Sequence, residues 1–253
     1  MSLTVRQFPC LSDNYGFLVR DAASGATACI DTPDAAAILK ELDTSGWKLD
    51  FIFNTHWHPD HAGGNAEIKA ATGCQIVGPA EVTRIAPLDR TVKGGDVVEL
   101  GAARFEVIEA GGHTLGHIAY YDPADRTAFV GDTLFALGCG RLFEGKPEQM
   151  WASLSRLAAL PADTRVYCAH EYTASNARFA LSVDDSPALK ARAAEVFAAR
   201  ARGEPTVPTT IGLENATNPF LRAPALAARV GKAGAPDYEA FAAIRAAKDA
   251  FRG

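Results

Sequence analysis

The chain of 253 residues is long enough for one large domain or two modest ones, and its 48% hydrophobic and 22% charged residues are ordinary for a globular protein. A formal net charge of -5 and the lack of a basic run argue against a nucleic-acid partner. The N-terminal segment has no secretory signal pattern, and no apolar run is long enough to span a membrane. The five cysteines are widely spaced without a C-x-x-C pair. We therefore expect a cytoplasmic protein without membrane contacts.

Short strand-like runs alternate with amphipathic segments up to about residue 170. Runs at 3–8, 15–20 and 26–31 are spaced like a meander of short strands. Asn65 is the expected N-cap of one helix, and Pro147 opens another. Further strands are predicted at 49–55, 95–100, 103–110, 118–122, 127–131 and 164–169, and helices at 34–46, 65–73 and 147–160.

Helical patterns dominate the rest of the chain. A helix is predicted from Ser186, its N-cap, to Gly203, which follows its end, and another at 237–251. A connector rich in proline and glycine separates the two. The sequence therefore predicts a mixed α/β domain at 1–168 and a smaller all-α domain at 169–253.

Three of the six histidines crowd into the loop after the predicted strand at 49–55. His56 and His58 are two residues apart, so in an extended segment both side chains point the same way. Asp60 and His61 follow a proline that disfavours helix at the residue before it and so helps to turn the chain. Imidazole and carboxylate groups in such a cluster suit zinc, iron or manganese.

Three more potential ligands each follow a strand-like run, namely His113, Asp132 and His170. Strands that end at the same rim of a sheet would bring these side chains and the histidine-rich loop together. The resulting seven ligands are too many for one tetrahedral ion but suit two ions that share one carboxylate. His117 fits no ligand position, and we expect it to have a structural role or to support a ligand.

Two such ions would suit the hydrolysis of a thioester. A bound divalent ion lowers the pKa of its water to about 7, so hydroxide is available at neutral pH. The same ions can polarise a carbonyl group, and a thiolate leaving group, whose conjugate acid has a pKa of about 8.5, needs little help from a general acid. An amide would need protonation of its nitrogen, and the sequence offers no obvious separate acid besides a water or Asp60.

Four segments resemble the ligand motifs of the metallo-β-lactamase superfamily, in order THWHPDH, GGHTLGH, GDTLF and CAHEYT. More narrowly, the chain resembles the glyoxalase II, or hydroxyacylglutathione hydrolase, family nearly end to end, through SDNYGFLV, GCGRLFEG, GEPTVPTT, NPFLR and IRAAKDAF. The first motif alone is typical of the whole superfamily. The C-terminal motifs are more specific, because other branches lack this helical domain.

The resemblance implies a metallo-β-lactamase-like αββα sandwich at 1–168 and a smaller all-α, glutathione-binding domain at 169–253. It implies an enzyme that hydrolyses S-(2-hydroxyacyl)glutathione, such as S-D-lactoylglutathione, to glutathione and a 2-hydroxy acid in the second step of methylglyoxal detoxification. It also implies two divalent metal ions, with zinc expected and iron and manganese as alternatives. We expect a monomer whose partner is the small-molecule glutathione thioester.

The resemblance further implies roles for individual residues. The metal ligands fall into two groups bridged by Asp132, one of His56, His58 and His113 and the other of Asp60, His61 and His170. Asp60 and Asp132 are also the residues expected to act in catalysis. Substrate-binding roles carry over to Arg141, Phe143, Tyr172, Arg245 and Lys248.

Two of these positions depart from the pattern of many relatives. Arg141 stands where many have lysine, which keeps the charge but changes the geometry. Phe143 stands where some have tyrosine, so one potential hydrogen bond to the substrate is lost. Arg245 and Lys248 recur at helical spacing in a basic stripe that, taken alone, is more typical of a solvated face. The resemblance instead assigns these two to glutathione, whose two carboxylates suit cationic side chains.

Three other functions stay open on the sequence. A mononuclear-iron persulfide dioxygenase of the same superfamily would need only two histidines and one carboxylate, which leaves three histidines of the loop without a role. A superfamily nuclease is disfavoured by the acidic balance and the absence of a basic tract. A non-catalytic metal- or thiol-binding protein would bind the ions without turnover.

Overall fold

The computed structural model describes residues 3–253 and divides into two compact units. The first unit comprises the chain up to Ala110 together with Gly116–Gly131. The second unit comprises Gly111–Leu115 and Asp132–Gly253. A functional boundary between residues 168 and 169 falls inside the second unit and stays a prediction.

The first unit contains two β-sheets. In the first sheet the strands lie in chain order, with β1 to β3 antiparallel and β3 to β6 parallel: β1 (Leu3–Cys10), β2 (Asn14–Asp21), β3 (Thr27–Ile30), β4 (Phe51–Phe53), β5 (Gln75–Gly78) and β6 (Arg90–Thr91). The second sheet contributes four antiparallel strands to this unit: β7 (Val97–Leu100), β8 (Ala103–Glu109), β9 (Ile118–Asp122) and β10 (Thr127–Gly131). The predicted strands are confirmed, and β5 and β6 were not predicted.

The two sheets of the first unit pack face to face through aromatic side chains. The ring of Phe53 on β4 stacks on that of Tyr120 on β9 with centroids 5.4 Å apart, and Phe17 meets Phe129 at 5.7 Å. Successive residues of a strand point to opposite faces, so Ile52 faces away from the second sheet. It lies in a buried cluster with side chains of the helices, among them Ile38.

The described part of the first unit also has a 3₁₀ helix at Ala80–Arg84 and three α-helices: α1 (Ala35–Ser45), α2 (Pro59–Ala62) and α3 (Asn65–Thr72). Helix α1 begins where the Asp34 side chain accepts from the Ala37 amide and ends at Gly46, whose φ of 67° is left-handed. The prediction of Asn65 as an N-cap is wrong, because Gly64 holds that position and Asn65 is the first residue of α3. The Asn65 amide is buried and donates to the side-chain oxygen of Asn54 at 2.7 Å.

The second unit contains two short pairs of strands and six helices. The strands are β11 (Leu134–Phe135) with β12 (Gly138–Cys139), and β13 (Arg165–Cys168) with β14 (Thr209–Thr210). The helices are α4 (Pro147–Ala158), α5 (Thr173–Val183), α6 (Pro187–Ala201), α7 (Ile211–Thr217), α8 (Ala223–Leu226) and α9 (Asp237–Ala250). The predictions of α4, α6 and α9 are confirmed, and Ser186 holds the N-cap position of α6. Within residues 3–253 no helix combines the length and apolar character needed to cross a membrane.

Candidate metal centre

The loop that follows β4 brings two histidines of the first unit together. His56 is fully buried, and its Nε2 lies 3.0 Å from Nδ1 of His58. The Thr55 hydroxyl lies 3.0 Å from His56 Nδ1 and donates its own proton to Asp31 at 2.8 Å. The hydroxyl therefore accepts from Nδ1 of His56, which leaves the Nε2 lone pair of His56 available to a metal ion.

Asp31, at the end of the first predicted meander, orients this loop. Its Oδ1 accepts from the Thr55 amide at 2.7 Å, and its Oδ2 lies 2.8 Å from Nδ1 of His61. Because a carboxylate only accepts, His61 is protonated at Nδ1 and its Nε2 is left as the ligand atom. Sequence reasoning missed Asp31. The available signal was its position after a strand-like run, the feature that singled out His113, Asp132 and His170.

Asp60 and His61 lie on α2, the short helix that begins after His58. Oδ2 of Asp60 lies 3.7 Å from Nε2 of His61 and accepts from the side chain of Asn14 at 3.2 Å. The Asp60 carboxylate is 39% exposed, whereas the His61 ring is buried. The buried Nε2 of His61 and the partly exposed carboxylate of Asp60 therefore lie close enough to bind one metal ion.

In the second unit Asp132 lies between two histidines. Its Oδ2 is 3.4 Å from Nε2 of His113, and its Oδ1 is 3.4 Å from Nε2 of His170. Nδ1 of His113 donates to the carbonyl oxygen of Arg141 at 2.8 Å, so Nε2 is the ring nitrogen that carries the lone pair. Each oxygen of the Asp132 carboxylate therefore faces a different imidazole, which is the arrangement that a bridging carboxylate needs.

The spacing of these atoms fits divalent metal ions. Zinc-to-nitrogen and zinc-to-oxygen bonds of about 2.1 Å at tetrahedral angles put neighbouring ligand atoms about 3.4 Å apart. The pairs described above lie between 3.0 and 3.7 Å apart. The groups of described residues whose donor atoms lie close enough to share an ion contain histidine and carboxylate side chains and no cysteine. The donor set is thus nitrogen and oxygen, which suits zinc, iron or manganese.

His117 lies in the first unit and is fully buried. Its ring stacks on that of His56, with centroids 4.6 Å apart and an angle of 23° between the planes. A side chain at Gly131 would come within 2.7 Å of Nε2 of His117, so the backbone of β10 also closes in on this ring. These contacts suit the supporting role expected from the sequence, which stays a prediction.

A cavity of about 460 Å³ in the second unit joins two sets of side chains that the sequence singled out. His113 and Asp132 line it together with Phe135 and Cys139. The five residues expected to bind substrate also line it: Arg141, Phe143, Tyr172, Arg245 and Lys248. The structure therefore brings the cationic stripe of α9 to the same cavity as two of the expected ligands.

The cationic residues of the cavity differ in their surroundings. Lys248 Nζ donates to the carbonyl oxygen and the hydroxyl of Ser175, each at 3.2 Å. Burial, and next the positive charge of Arg245, lower the pKa of Lys248 to about 8. Arg245 is buried and donates to the carbonyl of Cys139 at 2.9 Å and to Asp249 at 2.8 Å. Arg141 is by contrast well exposed.

Aromatic rings frame the ligands of the second unit. The ring of Tyr172 stacks on His170, with centroids 4.7 Å apart and planes 3° from parallel. Phe143 meets the ring of His113 edge to face at 5.2 Å and is 63% exposed at the rim of the cavity. A large exposed apolar side chain beside a potential ligand is available to contact a bound molecule.

Two family models together match nearly the whole chain. Residues 25–170 match the family model of the metallo-beta-lactamase superfamily, and residues 171–251 match that of the hydroxyacylglutathione hydrolase C-terminus. A protein of Maricaulis maris (strain MCS10) named hydroxyacylglutathione hydrolase is 59% identical over 98% of this chain and 99% of its own.

Two solved structures share the fold. The crystal structure of ETHE1 from Myxococcus xanthus superposes with a TM-score of 0.68 and 25% identity, over 97% of this chain and 98% of its own. The crystal structure of TTHA1623 in a di-iron-bound form has a TM-score of 0.63 and 27% identity, over 86% of this chain and 100% of its own. The predicted fold class, an αββα sandwich followed by a helical region, is confirmed by these matches.

Proposed function

The chain belongs to the metallo-β-lactamase superfamily and to its hydroxyacylglutathione hydrolase family, and we propose from this membership how its residues carry out the reaction. The protein is a thioester hydrolase of the glyoxalase II type that cleaves S-(2-hydroxyacyl)glutathione to glutathione and a 2-hydroxy acid. We infer S-D-lactoylglutathione as the substrate. We further expect a monomer, and we expect it in the cytoplasm; the second expectation is supported by five buried cysteines without a disulfide among the described residues.

The single observation that carries the proposal is the cavity of the second unit. Two expected metal ligands, His113 and Asp132, line the same cavity as Lys248 and Arg141. A glutathione thioester needs both features, because its scissile carbonyl must reach the metal site while its carboxylates need cationic partners. A site with only one of the two features would suit another member of the superfamily.

For the metal site we propose the ligand set implied by the family. His56, His58 and His113 would hold one ion, Asp60, His61 and His170 would hold the other, and Asp132 would be shared between them. The separate histidines that face the two oxygens of Asp132 support the bridge, and the di-iron form of TTHA1623 supports a pair of ions. We propose zinc as the metal, with iron and manganese as alternatives that the same donors accept.

The residues around the ions keep the ligands in the required protonation state. When bound, the two ions supply hydroxide at neutral pH and stabilise negative charge on the carbonyl oxygen of the substrate. Asp31 and the carbonyl of Arg141 hold a proton on Nδ1 of His61 and His113, so that Nε2 of each ring carries the lone pair that can bind metal. Asp60, whose carboxylate is partly exposed, is in position to accept a proton from a water near the site.

The rest of the substrate is bound away from the reacting carbonyl. Lys248 and Arg141 provide positive charge for the glutathione carboxylates, and Arg245 adds to the positive potential from its buried position. Tyr172 has a phenol group at the cavity and a ring fixed on His170. No general acid is needed for the leaving group, because the glutathione thiolate is stable enough to depart unprotonated.

Hydrolysis and oxygen uptake, measured on one preparation, test the proposal. We expect release of free thiol from S-D-lactoylglutathione without oxygen consumption. Oxygen uptake with glutathione persulfide and no thioester hydrolysis would instead identify a dioxygenase. Bound metal without turnover of either compound would identify a binding protein and refute the proposal.

A further inference from the structure

The hairpin of β11 and β12 forms part of the cavity wall. It begins two residues after Asp132, and the chain reaches Arg141 two residues after it ends. Phe135 and Cys139 on this hairpin line the cavity. Next to it, Gly140 approaches so closely that a side chain there would lie 2.0 Å from the carbonyl oxygen of Asp132. The shape of the hairpin therefore determines where part of the cavity wall lies relative to Asp132.

Two side chains near the end of α7 bind the backbone of this hairpin. The amide of Asn218 donates to the carbonyl oxygens of Phe135 and Gly138, at 3.1 and 2.9 Å. The carboxylate of Glu214 accepts from the amide of Leu137 at 2.9 Å. Three backbone groups of the six-residue β11–β12 hairpin thus form hydrogen bonds with side chains that are 77 to 83 positions further along the chain.

The two side chains are themselves held in place. Glu214 and Asn218 are fully buried, and the Asn218 amide nitrogen also lies 2.9 Å from a carboxylate oxygen of Glu214, so one of its two hydrogens is shared between two acceptors. Glu214 further accepts from the hydroxyl of Thr209 at 2.6 Å and pairs with the buried guanidinium of Arg192. The side-chain oxygen of Asn218 accepts from the Phe220 amide at 3.0 Å. A buried carboxylate with this many partners is fixed in one orientation, since every rearrangement would leave charge or donors unpaired.

Neither Glu214 nor Asn218 is among the residues that line the cavity. Their hydrogen bonds to the cavity wall are those to the hairpin backbone. The carboxylate of Glu214 is also separate from the expected metal ligands, because its donors are the side chains of Arg192, Thr209 and Asn218 and the Leu137 amide. This separates the network from the metal chemistry and connects it to the shape of the substrate cavity.

We propose that Glu214 and Asn218 are positioning residues that hold the β11–β12 hairpin in the shape required by the glutathione part of the substrate. The proposal rests on the proposed function, because it assigns that part of the substrate to this cavity. It gives the NPFLR segment, which begins at Asn218, a role in substrate affinity that acts through the hairpin. Loosening the hairpin displaces the cavity wall by a fraction of an ångström to an ångström, enough to weaken binding severalfold or more.

The test compares two asparagines of the same helical segment. Asn218→Ala removes the donor to the hairpin, and Asn215→Ala is the matched control, because the exposed amide of Asn215 donates instead to the carbonyl of Ala158 at 3.0 Å. We expect Asn218→Ala to raise KM for S-D-lactoylglutathione about tenfold, with a smaller loss in kcat and unchanged metal content. Asn215→Ala should keep the wild-type KM. Hydrogen exchange of the Leu137 amide should be at least about tenfold faster in Asn218→Ala than in the control.

Different results separate this proposal from the proposed function. A wild-type protein that does not hydrolyse the thioester refutes the proposed function. An active wild type whose two variants share one KM and one Leu137 exchange rate refutes the positioning role alone. Loss of metal by Asn218→Ala with a normal KM after reloading would also overturn it. If Asn218→Ala does not fold, Asn218→Ser, which keeps an acceptor for the Phe220 amide but is too short for both carbonyls, is expected to show the same rise in KM.

Discussion

Replacing Lys248 with arginine should abolish a pH dependence of substrate binding that the wild-type protein shows. Burial and the neighbouring Arg245 lower the pKa of Lys248 to about 8, and Nζ is held toward the cavity by Ser175. A substrate carboxylate binds the charged ammonium and not the neutral amine. The affinity from Lys248 is therefore present below this pKa and is lost as the pH rises through about 8.

The size of the effect follows from the titration. With a pKa of about 8, roughly nine-tenths of the Lys248 side chains are charged at a pH one unit lower and roughly one-tenth at a pH one unit higher. A charge-assisted hydrogen bond contributes about 1.5–3 kcal/mol, or about 10- to 150-fold in affinity. The change in the charged fraction sets an upper limit on the effect, so KM should rise about five- to tenfold over this window. Arginine keeps its charge over the whole range, so Lys248→Arg should show no such rise.

The assay is the pH profile of KM for the wild type, Lys248→Arg and Lys248→Ala on S-D-lactoylglutathione and on a small neutral thioester. The ammonium of glutathione titrates in a similar range, but it is common to all three proteins and cancels when they are compared. Lys248→Ala should have a high KM that does not depend on Lys248 titration. The same alkaline rise in Lys248→Arg as in the wild type, or an equal rise with the neutral thioester, would refute the reasoning.

Four further variants test other parts of the site. Asp132→Ala should lose at least one metal equivalent and most activity, because each oxygen of its carboxylate faces a different histidine; two ions with near-normal turnover would contradict this. Asp31→Asn hardly changes the size of the side chain but should lose metal, because an amide can donate to Nδ1 of His61 and shift the proton of that ring to Nε2. An unchanged metal content by elemental analysis would argue against this role of Asp31. His117→Gln should keep its metal and retain more activity than His113→Gln, and equal metal loss in the two would show that the ligand assignment is wrong. Phe143→Tyr should lower KM for the glutathione thioester by about two- to tenfold, the worth of one added hydrogen bond, whereas an unchanged KM would show that the hydroxyl reaches no substrate atom.

Much of the site was predictable because its chemistry depends on residue type and spacing. His56 and His58 were recognised from their alternation, and His113, Asp132 and His170 from their positions after strands. The contact between Asp31 and His61 was not predictable, since the two residues are 30 positions apart and only the folded chain shows their hydrogen bond.

Two of the helices that were not predicted, α5 and α7, have weak or concealed starting signals. Helix α5 begins directly after Tyr172, whose side chain makes no capping hydrogen bond, so the sequence carries no capping residue there. Helix α7 does have a cap, since the Thr210 hydroxyl accepts from the Leu213 amide, but it lies within a segment whose prolines and glycines indicated a connector.

The burial of Arg245 is another property of the tertiary fold. Its position in α9 indicated a charged face, but its guanidinium lies over the ring of Phe220 at 5.0 Å and donates to the Cys139 carbonyl. Neither partner lies near it in sequence, so helical periodicity alone could not separate this buried cation from an exposed one.

The most direct test of the central claim is a metal titration of the chelated protein, followed by hydrolysis of S-D-lactoylglutathione. We expect activity to rise with added divalent metal and to reach its plateau at two equivalents per chain, because the histidines and carboxylates of the site suit two ions that share Asp132. Full activity at one equivalent, or activity that does not depend on metal, would contradict a dinuclear thioester hydrolase.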